Sequence, residues 1–167
     1  MALLNILHYP DNKLRTKAKT VQQVTNRHLQ LLDDMLETMY DAPGIGLAAT
    51  QIDVHEELIV IDISEDKSEP LCLINPVIIE KNGVEISEEG CLSVPETYAE
   101  VERAESIRFT AIDREGNSFE MQADGLLAIC VQHEIDHLQG KLFVDYLSKL
   151  KRERIRKKIE KLSRKKI

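Results

Sequence analysis

Between residues 58 and 123 the chain is a succession of short apolar segments, and this succession restricts the possible folds most strongly. Each segment is rich in Ile, Val or Phe and is bounded by polar or turn-forming residues, which is typical of β-strands. The turn over residues 114–117 joins the last two segments as a hairpin, so much of the sheet is expected to be antiparallel. The predicted strands are Leu58–Ile63, Leu71–Ile79, Val84–Ser87, Tyr98–Arg103, Ile107–Asp113 and Ser118–Ala123.

Helical patterns lie on both sides of these strands. Apolar residues recur at spacings of three and four before them, which predicts a helix over about Thr25–Tyr40. After them, Asp124 is a suitable N-cap for a helix that continues to Leu138, with Gly140 placed to end it. The tail is predicted as a third helix with an apolar stripe among basic residues; the stripe is Leu147, Leu150, Ile155, Ile159 and Leu162.

The predicted fold class is therefore α+β, with antiparallel β-strands packed around a central helix and a C-terminal helix at the end. A length of 167 residues suits one domain. We divide the chain into a main domain over residues 1–148 and a basic helix over residues 149–167 that is appended to it.

Composition narrows the class of protein further. Hydrophobic residues make up 43% and charged residues 31%, as in globular proteins, and no apolar run approaches the roughly 18 residues that a membrane-spanning helix needs. The first residues lack the basic stretch and cleavage site of a secretory signal. Three cysteines, an odd number, favour reduced thiols, and we expect a cytoplasmic location and no membrane partner.

The net charge of −7 is unevenly distributed. Residues 149–167 carry eleven Lys or Arg against two Glu, which is +9 and leaves −16 on the rest of the chain. Such a dense basic segment is typical of elements that bind phosphate groups. A solvated helix at the end of the chain explains the same pattern, and the sequence leaves both interpretations open.

The second predicted helix carries the residues of a metal site. His133 and His137 are four residues apart, so they share one helix face and can converge on a single ion. Glu134 lies between them and can reach a water molecule beside that ion. Two surface histidines on an amphipathic helix are the alternative.

A catalytic site of this type usually has three protein ligands and one open position. No His or Cys follows His137, and two of the three later carboxylates lie in the basic tail. Upstream, Cys91 follows Gly90, and its thiolate is a softer ligand for a late transition metal than a carboxylate. A lone cysteine is more often a small buried apolar residue, and we interpret Cys72 and Cys130 mostly in that way.

A third unusual segment is Gly44–Gln51, in which two glycines are followed by small residues. It lacks the Lys and the spacing of a phosphate-binding loop. An extended ligand could lie against its backbone at Gly46, and Gln51 offers an amide donor to a developing oxyanion. A tight turn that leads into an ordinary strand is the alternative for the segment taken alone.

These segments together resemble peptide deformylases of the bacterial, iron-type class. The motifs occur in the family's order and are Gly44-Ile45-Gly46-Leu47-Ala48-Ala49-Thr50-Gln51, Glu89-Gly90-Cys91-Leu92-Ser93 and Gln132-His133-Glu134-Ile135-Asp136-His137-Leu138-Gln139-Gly140. The resemblance covers nearly the whole chain, because residues 124–130 and the basic C-terminal helix are also similar. Tyr98 lies where variation is expected, in the outer part of the substrate groove.

The resemblance implies a metal-dependent hydrolase that removes the N-terminal formyl group from formyl-methionine of nascent polypeptides and releases formate. Cys91, His133 and His137 would hold one Fe(II), with Zn, Ni or Co as possible substitutes; ligand type alone would favour Zn. Residues 1–148 would then be the catalytic deformylase domain. The partners would be N-formylmethionyl nascent peptides and, through the basic tail, the ribosome.

The same resemblance assigns roles in the reaction. Glu134 would take a proton from water as general base and later deliver one to the leaving amine. The side-chain amide of Gln51 and the backbone N–H of Leu92 would stabilise the charge that develops on the formyl oxygen. Glu89 and Arg103 either form a pair that orients the site near the thiolate or are a plain surface ion pair.

A pocket for the methionine side chain is predicted beside the metal. Three residues precede His133 by 7, 4 and 3 positions, namely Leu126, Ile129 and Cys130. They share one helix face with His133 and should line an apolar cavity. The resemblance adds Ile45 and Ile86 as further walls. Ordinary core packing is compatible with the same pattern on the helix.

Two other functions compete with this interpretation. A zinc peptidase would use the same two-histidine helix, but it would need a third ligand other than Cys91. An RNA-binding or ribosome-binding module would rest on the basic tail and would need no metal ion. Binding to RNA or the ribosome is compatible with deformylase activity, because an enzyme that acts on nascent chains gains from docking at the ribosome.

Overall fold

The computed structural model describes residues 2–165. Three α-helices are present in this range: α1 (Asn26–Asp41), α2 (Gly125–Leu138) and α3 (Lys149–Lys165). Seven strands accompany them: β1 (Gly46–Ala48), β2 (Leu58–Ile61), β3 (Leu71–Asn82), β4 (Glu85–Cys91), β5 (Val94–Arg103), β6 (Ser106–Ile112) and β7 (Ser118–Asp124). Short 3-10 helices lie at Asn12–Arg15, Ala49–Ile52 and Phe143–Tyr146.

The strands form two antiparallel sheets. Five strands pair in the order β1-β2-β3-β6-β7, and β4 and β5 form a separate two-stranded sheet. The predicted hairpin over residues 114–117 joins β6 and β7, whose register pairs Ile112 with Ser118. The predicted α+β class with antiparallel strands is therefore confirmed.

Helix α2 lies at the centre of the molecule. Every residue from Ala128 to Glu134 is buried, as expected for a helix that is covered on all sides. Three of these residues are polar, namely Gln132, His133 and Glu134. Hydrogen bonds explain why Gln132 is tolerated: its amide donates to the carbonyl of Ala104 and accepts from the Ala104 N–H, both at 2.9 Å. This contact fixes α2 against the turn between β5 and β6.

The sheet β4–β5 is longer than its apolar residues indicate. The segment predicted for β4 ends at Ser87, and the segment predicted for β5 begins at Tyr98. The observed strand pairing continues further towards the turn, to Cys91 on β4 and Val94 on β5. Backbone hydrogen bonds define the inner ends of this hairpin, and the acidic residues there are not typical of strands. The three-residue strand β1 is not among the predicted strands. It lies in the segment Gly44–Gln51, for which a tight turn leading into an ordinary strand was the alternative interpretation.

Helix α3 packs one face on the rest of the protein. Ile159 is 4% exposed and belongs to an apolar cluster with Val94, Val101 and Phe143. Most of the predicted stripe packs there as well, but Leu150 is 61% exposed, because it lies in the first turn. The last two residues of the predicted helix, 166 and 167, lie outside the described residues. Within residues 2–165, no helix is long and apolar enough to cross a membrane.

Candidate active site

Three side chains from two elements converge at the central helix. Cys91 ends β4, while His133 and His137 lie one turn apart on α2. The Cys91 Sγ atom is 3.3 Å from Nε2 of His137, which is 3.2 Å from Nε2 of His133. All three donor atoms lie within 4.8 Å of one another. The structure thus brings together the three predicted ligands.

These donors fit a divalent transition metal ion. Ligand atoms that bind at ~2.0–2.3 Å in tetrahedral geometry are roughly 3.3–3.7 Å apart, close to the separations seen here. Among the described residues, no other group of three or more His, Cys, Asp or Glu side chains converges in this way. Because only three protein ligands are present, one position is left for water or substrate.

The sulfur of Cys91 accepts hydrogen bonds from two N–H groups. The Ser93 backbone N lies 3.4 Å from Sγ, and Nε2 of Gln51 lies 3.5 Å from it. The Gln51 amide is itself fixed, because Nε2 donates to Ser93 Oγ at 3.0 Å and Oε1 accepts from the Ala48 N–H at 2.9 Å. Two N–H donors therefore point at the sulfur of Cys91.

Glu134 is buried between the candidate ligands and strand β1. Its Oε1 atom has no hydrogen-bond partner among the described residues. Burial raises the pKa of Glu134 to about 7, against the opposing charge of His133. A carboxylate with a pKa near neutrality can both accept and return a proton, as a general base must.

The pKa values of the two histidines are shifted in opposite directions. Burial, together with the charge of His133, lowers the pKa of His137 well below its ordinary value, which favours the neutral imidazole that binds a metal. Burial by itself lowers the pKa of His133, but Glu134 and the contacts with Cys91 and Glu89 outweigh it and raise that pKa. The acidic neighbours of His133 therefore oppose the effect of burial on this imidazole.

The predicted pair of Glu89 and Arg103 is buried, at 5% and 6% exposure. Arg103 donates to both carboxylate oxygens at 2.7 and 2.8 Å, and Oε1 lies 2.9 Å from Nδ1 of His133. Burial raises the pKa of Glu89, but the bonds from Arg103 and His133 outweigh it and lower that pKa to about 2. The pair is thus no surface ion pair, and its carboxylate contacts the candidate ligand His133.

A cavity of about 700 Å³ opens next to these residues. Ile129 and Cys130 are buried within it, whereas Ile45 and Leu126 are about half exposed. Gly46 forms part of the wall, and a Cβ atom there would lie 2.5 Å from Oε2 of Glu134. Five of the six residues predicted for the substrate pocket therefore line this cavity.

The sixth, Ile86, is not among the residues that line the cavity, and the prediction is corrected at this position. Ile86 pairs with Glu102 on β4 and is 63% exposed, whereas the next residue, Ser87, lines the cavity. Successive side chains of a strand point to opposite faces, so an offset of one residue reverses the assignment.

Sequence reasoning missed several residues of the site. Ser93 was quoted only as part of a motif, yet its hydroxyl holds the Gln51 amide. Asp136 and Tyr146 were assigned no role, although both belong to the hydrogen-bond network behind His133. Glu96 also lines the cavity. Only Ser93 and Asp136 had a signal in the sequence, because both lie inside the recognised motifs.

Leu92 lines the same cavity. Its side chain approaches Gly44 so closely that a Cβ atom there would lie 2.8 Å from Cδ1 of Leu92. The two segments that carry Gln51 and Leu92 are therefore packed against each other at the mouth of the cavity. This packing places both residues next to Cys91. Two donors that stabilise the same developing oxyanion have to lie close together in this way.

Known proteins match the chain over nearly its whole length. A family model described as polypeptide deformylase matches residues 3–153. The peptide deformylase of Pseudoalteromonas translucida (strain TAC 125) is 59% identical over 161 residues, which cover 96% of each chain. Relatives of this similarity share a fold and a reaction with the chain.

Solved structures agree with the sequence matches. A peptide deformylase from Legionella pneumophila has 50% identity and a TM-score of 0.94, with 98% of this chain and 97% of that chain covered. A peptide deformylase from Ehrlichia chaffeensis in complex with actinonin has 38% identity and a TM-score of 0.95, with 98% and 99% covered. The chain belongs to the polypeptide deformylase family, whose metal-dependent members remove the N-terminal formyl group from nascent polypeptides.

Proposed function

We propose that this chain hydrolyses the formyl amide of N-formylmethionyl nascent peptides with Cys91, His133 and His137 as metal ligands and Glu134 as general base. The observation that carries the proposal is the convergence of these four side chains beside an apolar cavity. A zinc peptidase is less well supported, because its third ligand would have to differ from Cys91 and no other such group converges in residues 2–165.

The resident metal is proposed to be Fe(II). When bound, a divalent ion supplies Lewis acidity, which activates water and stabilises negative charge on the formyl oxygen. The thiolate and two imidazoles also suit Zn, Ni or Co, so the resemblance to iron-type deformylases decides the assignment. Anaerobic purification with elemental analysis tests it: we expect iron, and activity that decays in air, whereas a zinc form would keep its activity.

Glu134 moves the proton in the proposed reaction. Its carboxylate takes a proton from the attacking water, whose oxygen forms a bond with the formyl carbon. The carbon–nitrogen bond then breaks, and the same carboxyl group delivers the proton to the leaving amine, so that formate and a free N-terminus result. The amide of Gln51 and the backbone N–H of Leu92 stabilise the oxyanion between these two steps.

The cavity supports methionine as the first residue of the substrate. Its inner wall consists of Ile129 and Cys130, with 7% and 5% exposure. Sulfur and apolar carbon atoms there complement an unbranched thioether side chain. Substrate groups beyond the first residue would extend towards the open mouth near Ile45 and Leu126.

The variant Glu134→Gln tests the proposal. It keeps the size of the side chain and touches no ligand, so we expect full metal content and a loss of activity on the order of 100-fold to 10,000-fold. Glu100→Gln is a matched control, because Glu100 is exposed on β5. Turnover of the Glu134 variant within a few-fold of the parent would exclude Glu134 as the base. Parallel assays with formylated and unformylated peptides separate a deformylase from a peptidase.

We also propose that residues 149–167 dock on ribosomal RNA, while residues 1–148 form the catalytic domain. Helix α3 packs Ile159 inwards, and over residues 149–164 it exposes seven basic residues, namely Lys149, Lys151, Arg154, Lys157, Lys158, Lys161 and Arg164. Packing and docking therefore use different faces of one helix. Such a partner implies a cytoplasmic location.

Charge reversal tests docking better than truncation, because truncation would also remove the buried Ile159. Replacing Lys151, Lys157 and Lys161 with Glu should leave hydrolysis of a short formylated peptide intact. It should abolish co-sedimentation with ribosomes, and binding of the parent should weaken steeply as salt increases. Unchanged co-sedimentation of the triple variant would contradict docking through α3.

A further inference from the structure

The two candidate histidine ligands differ in what holds the nitrogen that faces away from the other donors. Nδ1 of His133 is bound by Glu89 at 2.9 Å. Nδ1 of His137 is buried and has no hydrogen-bond partner among residues 2–165. The orientation of this imidazole pair therefore depends on Glu89. It depends in turn on the groups that hold Glu89 in place.

Arg103 orients Glu89 and is itself held by a second carboxylate. Two of its nitrogens bind the two oxygens of Glu89. Its remaining nitrogen, Nη1, donates to Oδ2 of Asp136 at 2.7 Å. A guanidinium that is planar and bound on both edges cannot rotate away from either partner.

Tyr146 completes the arrangement on the outer side. Its hydroxyl group donates to the same Oδ2 atom of Asp136 at 2.7 Å. Its ring lies against Arg103, with the guanidinium carbon 5.0 Å from the ring centroid. One residue thus contacts Arg103 directly and also holds the carboxylate that binds it, so its loss would loosen both contacts.

These residues form a closed ring between the two elements that carry the ligands. Asp136 and His133 both lie on α2, Glu89 lies on β4 and Arg103 ends β5. The ring runs from His133 through Glu89 and Arg103 to Asp136 and returns along the helix. Cys91 follows Glu89 by two residues on β4, so a short stretch of backbone joins the thiolate to the ring.

We propose that Asp136 and Tyr146 are positioning residues of the metal centre, which hold Arg103 on Glu89 and so fix the geometry of His133 and Cys91. The inference rests on the proposed function only in that Cys91, His133 and His137 bind a metal. It goes beyond the function because neither residue lines the cavity or belongs to the candidate ligands. A purely structural role would affect stability without changing the ligand geometry.

The test uses the cobalt-loaded full-length chain and two variants. Tyr146→Phe keeps the ring beside Arg103 and removes only the hydroxyl, and Asp136→Asn removes the charge that binds Nη1. We expect each variant to release cobalt to a chelator about 10-fold faster than the parent, the lower limit typical for residues that support ligands. We also expect a shifted cobalt–thiolate absorption band, which a merely structural role would leave in place.

Matched controls make the same chemical changes away from the metal. Tyr40→Phe removes a phenol–carboxylate bond to Asp62 of 2.6 Å, and Asp33→Asn removes a carboxylate that pairs with Arg114 at 2.9 Å. Both should release cobalt at the parental rate. Parental release and an unchanged band in Tyr146→Phe would overturn the inference. A parent without a cobalt–thiolate band would instead contradict the proposed function.

Discussion

Replacing Gly46 with Ala would place a methyl group against the candidate general base. The new Cβ atom would lie 2.5 Å from Oε2 of Glu134 and 2.9 Å from Sγ of Cys130, whereas ordinary contacts begin at 3.4 Å. The carboxylate would therefore have to move by about 0.9 Å, the difference between the two values for Glu134. Its Oε1 atom has no partner among the described residues, so no hydrogen bond opposes this movement.

A displacement of this size should reduce catalysis much more than stability. A misplacement of ~1 Å in a reacting group costs on the order of 100-fold in rate, which corresponds to about 2.7 kcal/mol of transition-state stabilisation. We expect Gly46→Ala to keep its metal and nearly its melting temperature, because a side-chain terminus moves and the backbone does not.

The assay is kcat on a formylmethionyl peptide, measured at equal metal content for parent and variant. Gly44→Ala is a suitable comparison, since the three atoms nearest to its Cβ atom would belong to the apolar side chain of Leu92 and none of them to Glu134. We expect a much smaller loss of kcat in that variant. If kcat of Gly46→Ala stays within about threefold of the parent, the position of this carboxylate does not limit the rate, and the reasoning fails.

Three further predictions concern the ligands and the packing around them. Cys91→Ser should lose most of its metal on dialysis, because an alcohol is a poor ligand; full metal content by elemental analysis would contradict the thiolate assignment. Arg103→Met leaves Glu89 buried without its partner and should lower the free energy of unfolding in urea by about 3 kcal/mol. Ile159→Ala should lower it by about 2–4 kcal/mol, while Leu150→Ala on the exposed side of α3 should change it by less than about 0.5 kcal/mol.

Local patterns predicted the elements that carry the chemistry. The two-histidine segment required a helix, and a helix that starts after Asp124 is present there. The short segments rich in Ile, Val or Phe predicted most strands, and the turn over residues 114–117 predicted the hairpin between β6 and β7. These features depend on neighbours within a few residues, so a single sequence contains enough information about them.

Contacts between distant segments could not be predicted in the same way. Arg103 meets Glu89 at a separation of 14 residues and Asp136 at 33, and nothing in the local pattern indicates that one guanidinium serves both. The Ile86 assignment failed for a related reason, since the faces of β4 depend on its register with β5. A pattern of residue types does not fix that register when charged residues interrupt the strand.

The candidate ligands come from two parts of the fold that share no strand pairing. Cys91 belongs to the two-stranded sheet, and His137, 46 residues later, belongs to the helix packed on the five-stranded sheet. An ion bound by both acts as a crosslink, since it binds the folded chain and not the unfolded one. Its affinity then adds to the folding equilibrium, so removing it by chelation should lower the melting temperature by an amount that depends on metal concentration. The ion that supports hydrolysis would thereby also crosslink the two-stranded sheet and helix α2.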